Sequence, residues 1–370
     1  MKILVSPASY KGFFSAHFAA TLMEAALKST VPNATIRRVP VADGGDDTLE
    51  VLSHVLDIQI LEVNVHDPFM QPCKAAIGFV QDGQTAIVES AQAVGIARIP
   101  KEMLNPLIAT TYGVGEMLAY VFGLNCKQVI LTVGGTATND AGAGMAVALG
   151  YRLLDANGKD VPLGAQYLGS VRMIISPEVE PWAQTKVVVA TDVENPLCGE
   201  MGASYIFGPQ KGANPQQVAM LDSNLCSFAK VIKEYLNIDV LNLKGAGAGG
   251  GLGAGAFAFL RATYVSGAVM IADLLTLESY VQDADLIITG EGCLDYSSTH
   301  GKAPWHVINL AISHRKAVLV VPGLVKLDSQ YLSALVRKGV FVVESSSVEG
   351  VSPEEKLINA VKKGIEQILE

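Results

Sequence analysis

No Cys-x-x-Cys pair, no basic run, no long apolar stretch and no Walker A sequence occur in this chain, and each absence removes a class of protein. The five cysteines, Cys73, Cys126, Cys198, Cys226 and Cys293, are odd in number and widely spaced, so their pattern indicates neither a disulfide framework nor a zinc site. Reduced thiols, and with them a cytoplasmic location, are the expectation. The apolar stretch Ile3–Val5 is too short for the core of a signal peptide, and no run reaches the roughly 18 apolar residues of a membrane span, so no membrane partner is expected. Only 17% of residues are charged, and a formal net charge of -9 without any Lys/Arg cluster argues against nucleic acid. For anionic ligands the positive field must then be local, from single lysines and helix N-termini. The six histidines show no metal-ligand spacing, and neither Gly158-Lys159 nor Gly301-Lys302 is followed by Ser or Thr, so no P-loop is present.

What the chain has instead is glycine and apolar side chains: 36 glycines, and 50% hydrophobic residues over 370 positions. That composition fits buried parallel sheets joined by tight turns. The length exceeds what one core usually supports, so two domains and a cleft are expected. Residues 2–6 and Thr35–Val39 read as strands, Ser15 caps a helix whose Phe18, Ala19, Leu22, Ala25 and Ala26 recur at helical spacing, and Leu49, Val51, Leu52 and Val55 lie on a second helix. From about residue 59 the period drops to two, over Ile58–Val65, Cys73–Val80 and Thr85–Ser90, with Gln81-Asp82-Gly83 as a turn; this predicts antiparallel pairing in a different module. A helix from about Tyr112 to Phe122, a hairpin across Tyr151–Val161 turning at Asn157-Gly158, and a long helix opened by Asn214-Pro215 continue it. Near residue 260 the βα alternation returns. Leu286–Thr289, Ala317–Val321 and Val340–Val343 are continuous apolar strands, and Ser352-Pro353-Glu354-Glu355 opens the last helix. The reading is an α/β protein: a five-stranded parallel-sheet domain built from both chain ends, 1–62 plus 262–370, with a second α/β domain, 63–261, inserted.

The segment Gly134-Gly135-Thr136-Ala137-Thr138-Asn139-Asp140-Ala141-Gly142-Ala143-Gly144 follows the apolar run Val129–Val133 and opens an apolar helix. A strand feeding a glycine turn and a helix leaves backbone N–H groups free where an anion can sit, with Thr136, Thr138, Asn139 and Asp140 at the same rim. The alternative is a tight βα turn capped by Asn or Asp. Gly245–Gly255 matches a dinucleotide fingerprint only formally, because no strong strand precedes it, but it fits a phosphate-binding or domain-joining turn. Asp43-Gly44-Gly45-Asp46-Asp47-Thr48 concentrates carboxylates at a strand end, where a cation or hydroxyl-rich substrate would offset their repulsion. Thr289-Gly290-Glu291-Gly292-Cys293-Leu294-Asp295 ends another strand with acids, and Lys302 follows; Glu291 either faces a ligand or ties its own loop. Asp192 ends the strand Val187–Ala190. Lys11, Lys211 and Lys302 each sit in a glycine-bounded loop, as anchors for phosphate or carboxylate or as solvated side chains.

Taken in order, these loops resemble the bacterial type I glycerate kinase family across essentially the whole chain. The resemblance is carried by Pro7-Ala8-Ser9-Tyr10-Lys11-Gly12, Ala42-Asp43-Gly44-Gly45-Asp46-Asp47-Thr48, Asn105–Gly113, the Gly134 loop, Asp192-Val193-Glu194-Asn195-Pro196-Leu197, Phe207–Ala213, Gly249–Gly255 and Thr289–Gly292. It implies a flavodoxin-like domain made from both termini, an inserted α/β domain, and ATP-dependent phosphorylation of D-glycerate, usually at the 2-hydroxyl, with ATP and Mg²⁺ bound between the domains. Under it Asp192 is the candidate general base, with Lys11 and Asp43 in the catalytic set. Gly134, Gly135, Thr136, Thr138, Asn139, Asn195, Lys211, Gly251, Gly253 and Lys302 are candidates for substrate or phosphate, and Asp43, Glu291 and Asp295 for the metal. A homodimer is compatible with the pattern. The chain departs from the family at Ala8 (usually Asp), Asp46-Asp47 (Glu-Gly), Cys293 (Arg) and Ser297-Ser298 (Gln-Thr), so a paralogue with altered specificity or without turnover is the alternative expectation.

Overall fold

A computed structural model describes residues 1–45, 47–80 and 83–369. Asp46 of the acidic loop, and Gln81 and Asp82 of the expected turn, lie outside the described residues. The chain forms two compact units: Met1–Asp43, Glu50–Leu56 and Ser266–Glu370 make the first, Gly44–Leu49 and Asp57–Val265 the second.

The first unit is a five-stranded parallel sheet. Lys2–Val5 pairs with Thr35–Arg38 on one side and with Leu286–Thr289 on the other, and Ala317–Val320 and Val340–Val342 follow outward. In order of appearance along the chain the strands stand 2-1-3-4-5, the flavodoxin-like arrangement, whose switch point lies between strands one and three. Apolar side chains on both pleat faces explain why these runs do not alternate with polar residues. Ile3, Val5, Ile288 and Leu319 are buried under the helices Ala16–Thr30 and Pro353–Leu369, while Leu4, Ile287 and Val318 are buried on the opposite parity. Each such side chain removed from water contributes about 1.5–3 kcal/mol. Ser15 caps the first helix by accepting from the Phe18 N–H, as expected from the sequence. Ser352 accepts from the Glu355 N–H, and Glu355 reaches back to the N–H of Val351.

The second unit holds a six-stranded mixed sheet. Gln59–His66, Pro72–Val80 and Thr85–Glu89 are antiparallel, whereas Thr85–Glu89, Gln128–Thr132, Lys186–Ala190 and Thr263–Val265 are parallel. Helix Tyr112–Gly123 covers this sheet, and helix Pro215–Leu236 is opened by a full capping box between Asn214 and Gln217. The expected hairpin over Tyr151–Val161 is present, and its first strand gains a second partner. The turn exists, held by the Asp155 carboxylate on the N–H groups of Asn157 and Lys159. The arms are joined by the Leu154–Asp160 bridge and by the N–H groups of Val161 and Asp155 on the carbonyls of Leu153 and Lys159, while the longer ladder of Arg152–Leu154 is with the distant Met173–Ile175. A short turn specifies a bend; burial of Leu153 and Ile174 in one core chooses the partner.

Candidate functional site

In the first unit the candidate residues gather in the loops at the carboxyl ends of the parallel strands, flanking the switch point. The loop after Lys2–Val5 is tied to the loop after Leu286–Thr289: Ser6 and Ala8 donate their N–H groups to the carbonyls of Ile288 and Gly290. The buried Tyr10 hydroxyl donates to the Val321 carbonyl. This fixes the turn that carries Lys11, whose side chain is exposed. Glu291 is 8% exposed and its Oε1 has no hydrogen-bond partner. Burial pushes its carboxyl up to about 7, with the Ser298 hydroxyl and Lys302 opposing and the Asp295 and Asp43 carboxylates adding. Asp295 behaves oppositely. Burial raises its pKa, but the Ser297 hydroxyl, the Ser298 N–H and the Lys302 charge outweigh that and hold it below the usual carboxylate range. Lys302 Nζ donates to Ser297 Oγ at 2.8 Å and sits as N-cap of helix Ala303–Ser313. Among the described residues Asp43, Glu291 and Asp295 do not bring their oxygens within 4.8 Å of one another, so they form no closed three-ligand cage. Magnesium does not require one, since it takes one or two carboxylates and fills the rest with water and phosphate oxygens.

A cavity of about 530 Å³ in the same unit, lined by Leu332, Val336, Val342 and Lys363 among others, contains none of these residues.

In the second unit the Gly134 loop leaves the strand Gln128–Thr132 and is braced on three sides. Gly134 passes so close to Gly45 that a Cβ would lie 2.9 Å from the Gly45 Cα, and its N–H donates to the Gly44 carbonyl. The Ile96 N–H donates to the Gly135 carbonyl and the Ala137 N–H to the Val94 carbonyl, flanking the bridge of Gly95 with Thr136. On the third side lies Gly245–Gly255. Gly250, at φ +70°, puts the position of an added Cβ 1.9 Å from the Thr138 carbonyl. Gly251 caps helix Leu252–Leu260, and its N–H and that of Gly253 are spent on the carbonyls of Gly247 and Ala248. The two glycines therefore brace the loop from behind, and their amides supply it no free donor.

The loop's own backbone is different. Among the described residues the N–H groups of Gly135, Thr136, Thr138 and Asn139 donate to no backbone carbonyl, and the buried Thr138 Oγ1 and Asn139 Oδ1 have no partner. The open N–H groups and the Thr138 hydroxyl are donors that an anion could take at a helix entry, whereas Asn139 Oδ1 is an acceptor only. Lys211 supplies the charge. It is buried, its Nζ donates to the Thr138 carbonyl at 2.6 Å and to Thr136 Oγ1 at 3.4 Å, and burial lowers its pKa to about 7 against the opposing pull of Asp140. Asp140, expected at the rim of the loop, turns its side chain inward. Its buried carboxylate accepts from the Thr111 N–H and hydroxyl, the Thr110 hydroxyl, and the N–H groups of Gly142 and Gly144. Burial raises its pKa and these donors restrain the rise. The signal was there, an Asp opening a helix opposite the Thr110-Thr111 pair, but its partner was distant in sequence.

Asp192 is half-buried just beyond the strand Lys186–Ala190, and its charge reaches Tyr264, whose phenol is pushed up to about 12, chiefly by burial. Asn195 Nδ2 donates to the Met201 carbonyl and the Asn195 carbonyl accepts from the Gly247 N–H, so Asn195 secures the loop after Asp192.

Acids and lysines at the carboxyl ends of parallel strands, together with a braced glycine loop and a buried ammonium, define an α/β phosphoryl-transfer enzyme. The chain belongs to the Glycerate kinase family, which it matches over residues 3–370. It is 39% identical over 330 residues to the glycerate kinase of Bacillus subtilis (strain 168), covering 89% of this chain and 86% of that one. It is 41% identical over 324 residues to the glycerate 2-kinase of Escherichia coli (strain K12), covering 87% and 85%. A crystal structure described as a candidate glycerate kinase 2 from Salmonella typhimurium LT2 superposes with a TM-score of 0.80 at 35% identity, over 100% of this chain and 98% of that chain.

Proposed function

We propose that this protein phosphorylates D-glycerate with ATP at the 2-hydroxyl. Besides family membership, the observation that carries the reading is the Gly134 loop: open N–H groups, the orphaned Thr138 hydroxyl and a buried lysine gather in one loop suited to a phosphate. In this reading Gly134, Gly135, Thr136, Thr138 and Asn139 hold the phosphates of ATP, with Lys211 as their buried counter-charge. Asp192 accepts the proton of the glycerate hydroxyl as its oxygen bonds to the γ-phosphorus and the bond to the bridging oxygen of ADP breaks. Lys11 and Lys302 serve the carboxylate of glycerate or a phosphate. The orphaned Glu291 Oε1, with Asp43 and Asp295 nearby in charge, fits a hard cation, so Asp43, Glu291 and Asp295 are the residues proposed to hold Mg²⁺. When bound, that ion supplies neutralisation of phosphate charge. The protein is proposed to act in the cytoplasm.

An ADP-release assay with Mg-ATP and D-glycerate, beside L-glycerate, tartronate and larger sugar acids, tests the reading, with product position read by phosphorus NMR. Release on D-glycerate with a 2-phosphate product is expected. Absence of release on every acid from folded protein would overturn it and leave a binding protein.

A further inference from the structure

Outside these loops, a second chemically distinct cluster lies in the second unit. Cys198 ends the Asp192–Leu197 loop, and Asp222 and Cys226 stand four residues apart on one face of helix Pro215–Leu236. Their two sulfurs and a carboxylate oxygen lie within 4.8 Å of one another, all half-buried, and among the described residues they are the sole group of metal-type donors so gathered. The 27-residue gap between the cysteines hid them from spacing arguments. We propose that Cys198, Asp222 and Cys226 bind a thiophilic divalent cation, of which Zn²⁺ is the type, through two thiolates and one carboxylate, with water in the fourth position.

Three features favour a cation. Tetrahedral zinc, with bonds of about 2.3 Å to sulfur and about 2.0 Å to oxygen, needs donor atoms about 3.5–4 Å apart, a spacing within the observed limit. The Gly199 N–H donates to Asp222 Oδ1 at 2.9 Å, orienting the carboxylate and leaving Oδ2 as the ligand atom. A disulfide would join the sulfurs but give the converging carboxylate no part. Burial, then the neighbouring Cys226 thiol and Asp222, push Cys198 far up, and burial raises Asp222. Binding therefore exchanges the two thiol protons for the cation, Zn²⁺ + 2 RSH + RCOO⁻ giving the complex and 2 H⁺, and pins the Leu197–Gly199 turn to the helix.

The test is titration of Co²⁺, then Zn²⁺, into reduced, chelator-treated full-length protein under anaerobic conditions. One equivalent of cobalt should give a thiolate-to-metal charge-transfer band with release of two protons. The band should vanish in Cys198→Ser and Cys226→Ser, persist in Cys73→Ser, and require at least tenfold more metal in Asp222→Asn. Because a serine variant could fail to fold, a second measurement maps alkylation in the wild type, where Zn²⁺ should protect Cys198 and Cys226 alone. The absence of a band, its survival in folded Cys198→Ser, or protection of other cysteines would overturn the assignment.

Discussion

Replacing Lys211 by Met separates the charge of this side chain from its bulk. In the ligand-free protein the ammonium is buried with two oxygen partners, and its pKa falls from 10.5 to about 7. The unfolded chain keeps its proton up to about pH 10.5, so between pH 7 and 10.5 the unfolded state binds more protons and stability must rise with pH. Below pH 7 the full penalty of the buried charge is present. A shift of that size bounds the penalty at about 5 kcal/mol, and relaxation of the loop will return part of it. Lys211→Met should therefore leave stability at pH 6.5 unchanged or raised and abolish the climb between pH 7 and pH 10, both read from urea unfolding midpoints. Activity should move the other way. Losing a preorganised charge aimed at a phosphate costs about 10²–10³ in kcat/KM. Wild-type protein should also take up a proton on binding ATP at pH 8.5, because the arriving phosphate restores the lysine pKa; calorimetry in buffers of different ionisation enthalpy measures that uptake. A wild-type stability profile flat above pH 7, or a Lys211→Met variant with normal kcat/KM, would refute the reasoning.

Asp192→Asn should lower kcat by about 10²–10⁴ with the KM for ATP nearly unchanged, as loss of a general base does; a normal kcat would dispose of the base assignment. Asp140→Asn turns an acceptor for five donors into a group that presents N–H to some of them, and should lower unfolding stability by about 3 kcal/mol. Glu291 binds its proton more tightly in the folded state, so its contribution is full below pH 4.5 and is lost as pH rises toward about 7. Mg²⁺ should raise the wild-type melting temperature at pH 7.5, and Glu291→Gln should flatten that decline and remove the rise.

Much of this architecture was legible because buried parallel strands announce themselves. Ile3–Val5, Leu286–Ile288 and Ala317–Val321 are apolar at every position, so the sheet built from both ends could be read directly. Caps were equally local: Ser15 and Asn214 act on residues three positions away. What stayed hidden depended on distance. Nothing near Arg152–Leu154 encodes its pairing with Met173–Ile175. Lys211 looks like a surface lysine until the Thr138 carbonyl closes over it, and Asp140 looks like a helix cap until Thr110 and Thr111 arrive from thirty residues upstream. The glycines at 251 and 253 have the composition of a ligand loop, yet their amides turn inward. Composition reveals where backbone is free to bend, whereas the partner of each amide is a tertiary fact.

The sheet assembled from both chain ends also sets an order of events on the ribosome. Lys2–Val5 and Thr35–Arg38 emerge first, but the strand that must lie beside Lys2–Val5 is Leu286–Thr289. At about 5–20 residues per second, roughly 15–55 s of synthesis separate those partners. Throughout that interval the early strands carry an unpaired apolar edge, while Gln59–His66 to Thr263–Val265 are completed and can fold in sequence. These two strands, made long before their partner, are thus the last able to finish, and chaperone dependence should concentrate in residues 1–40.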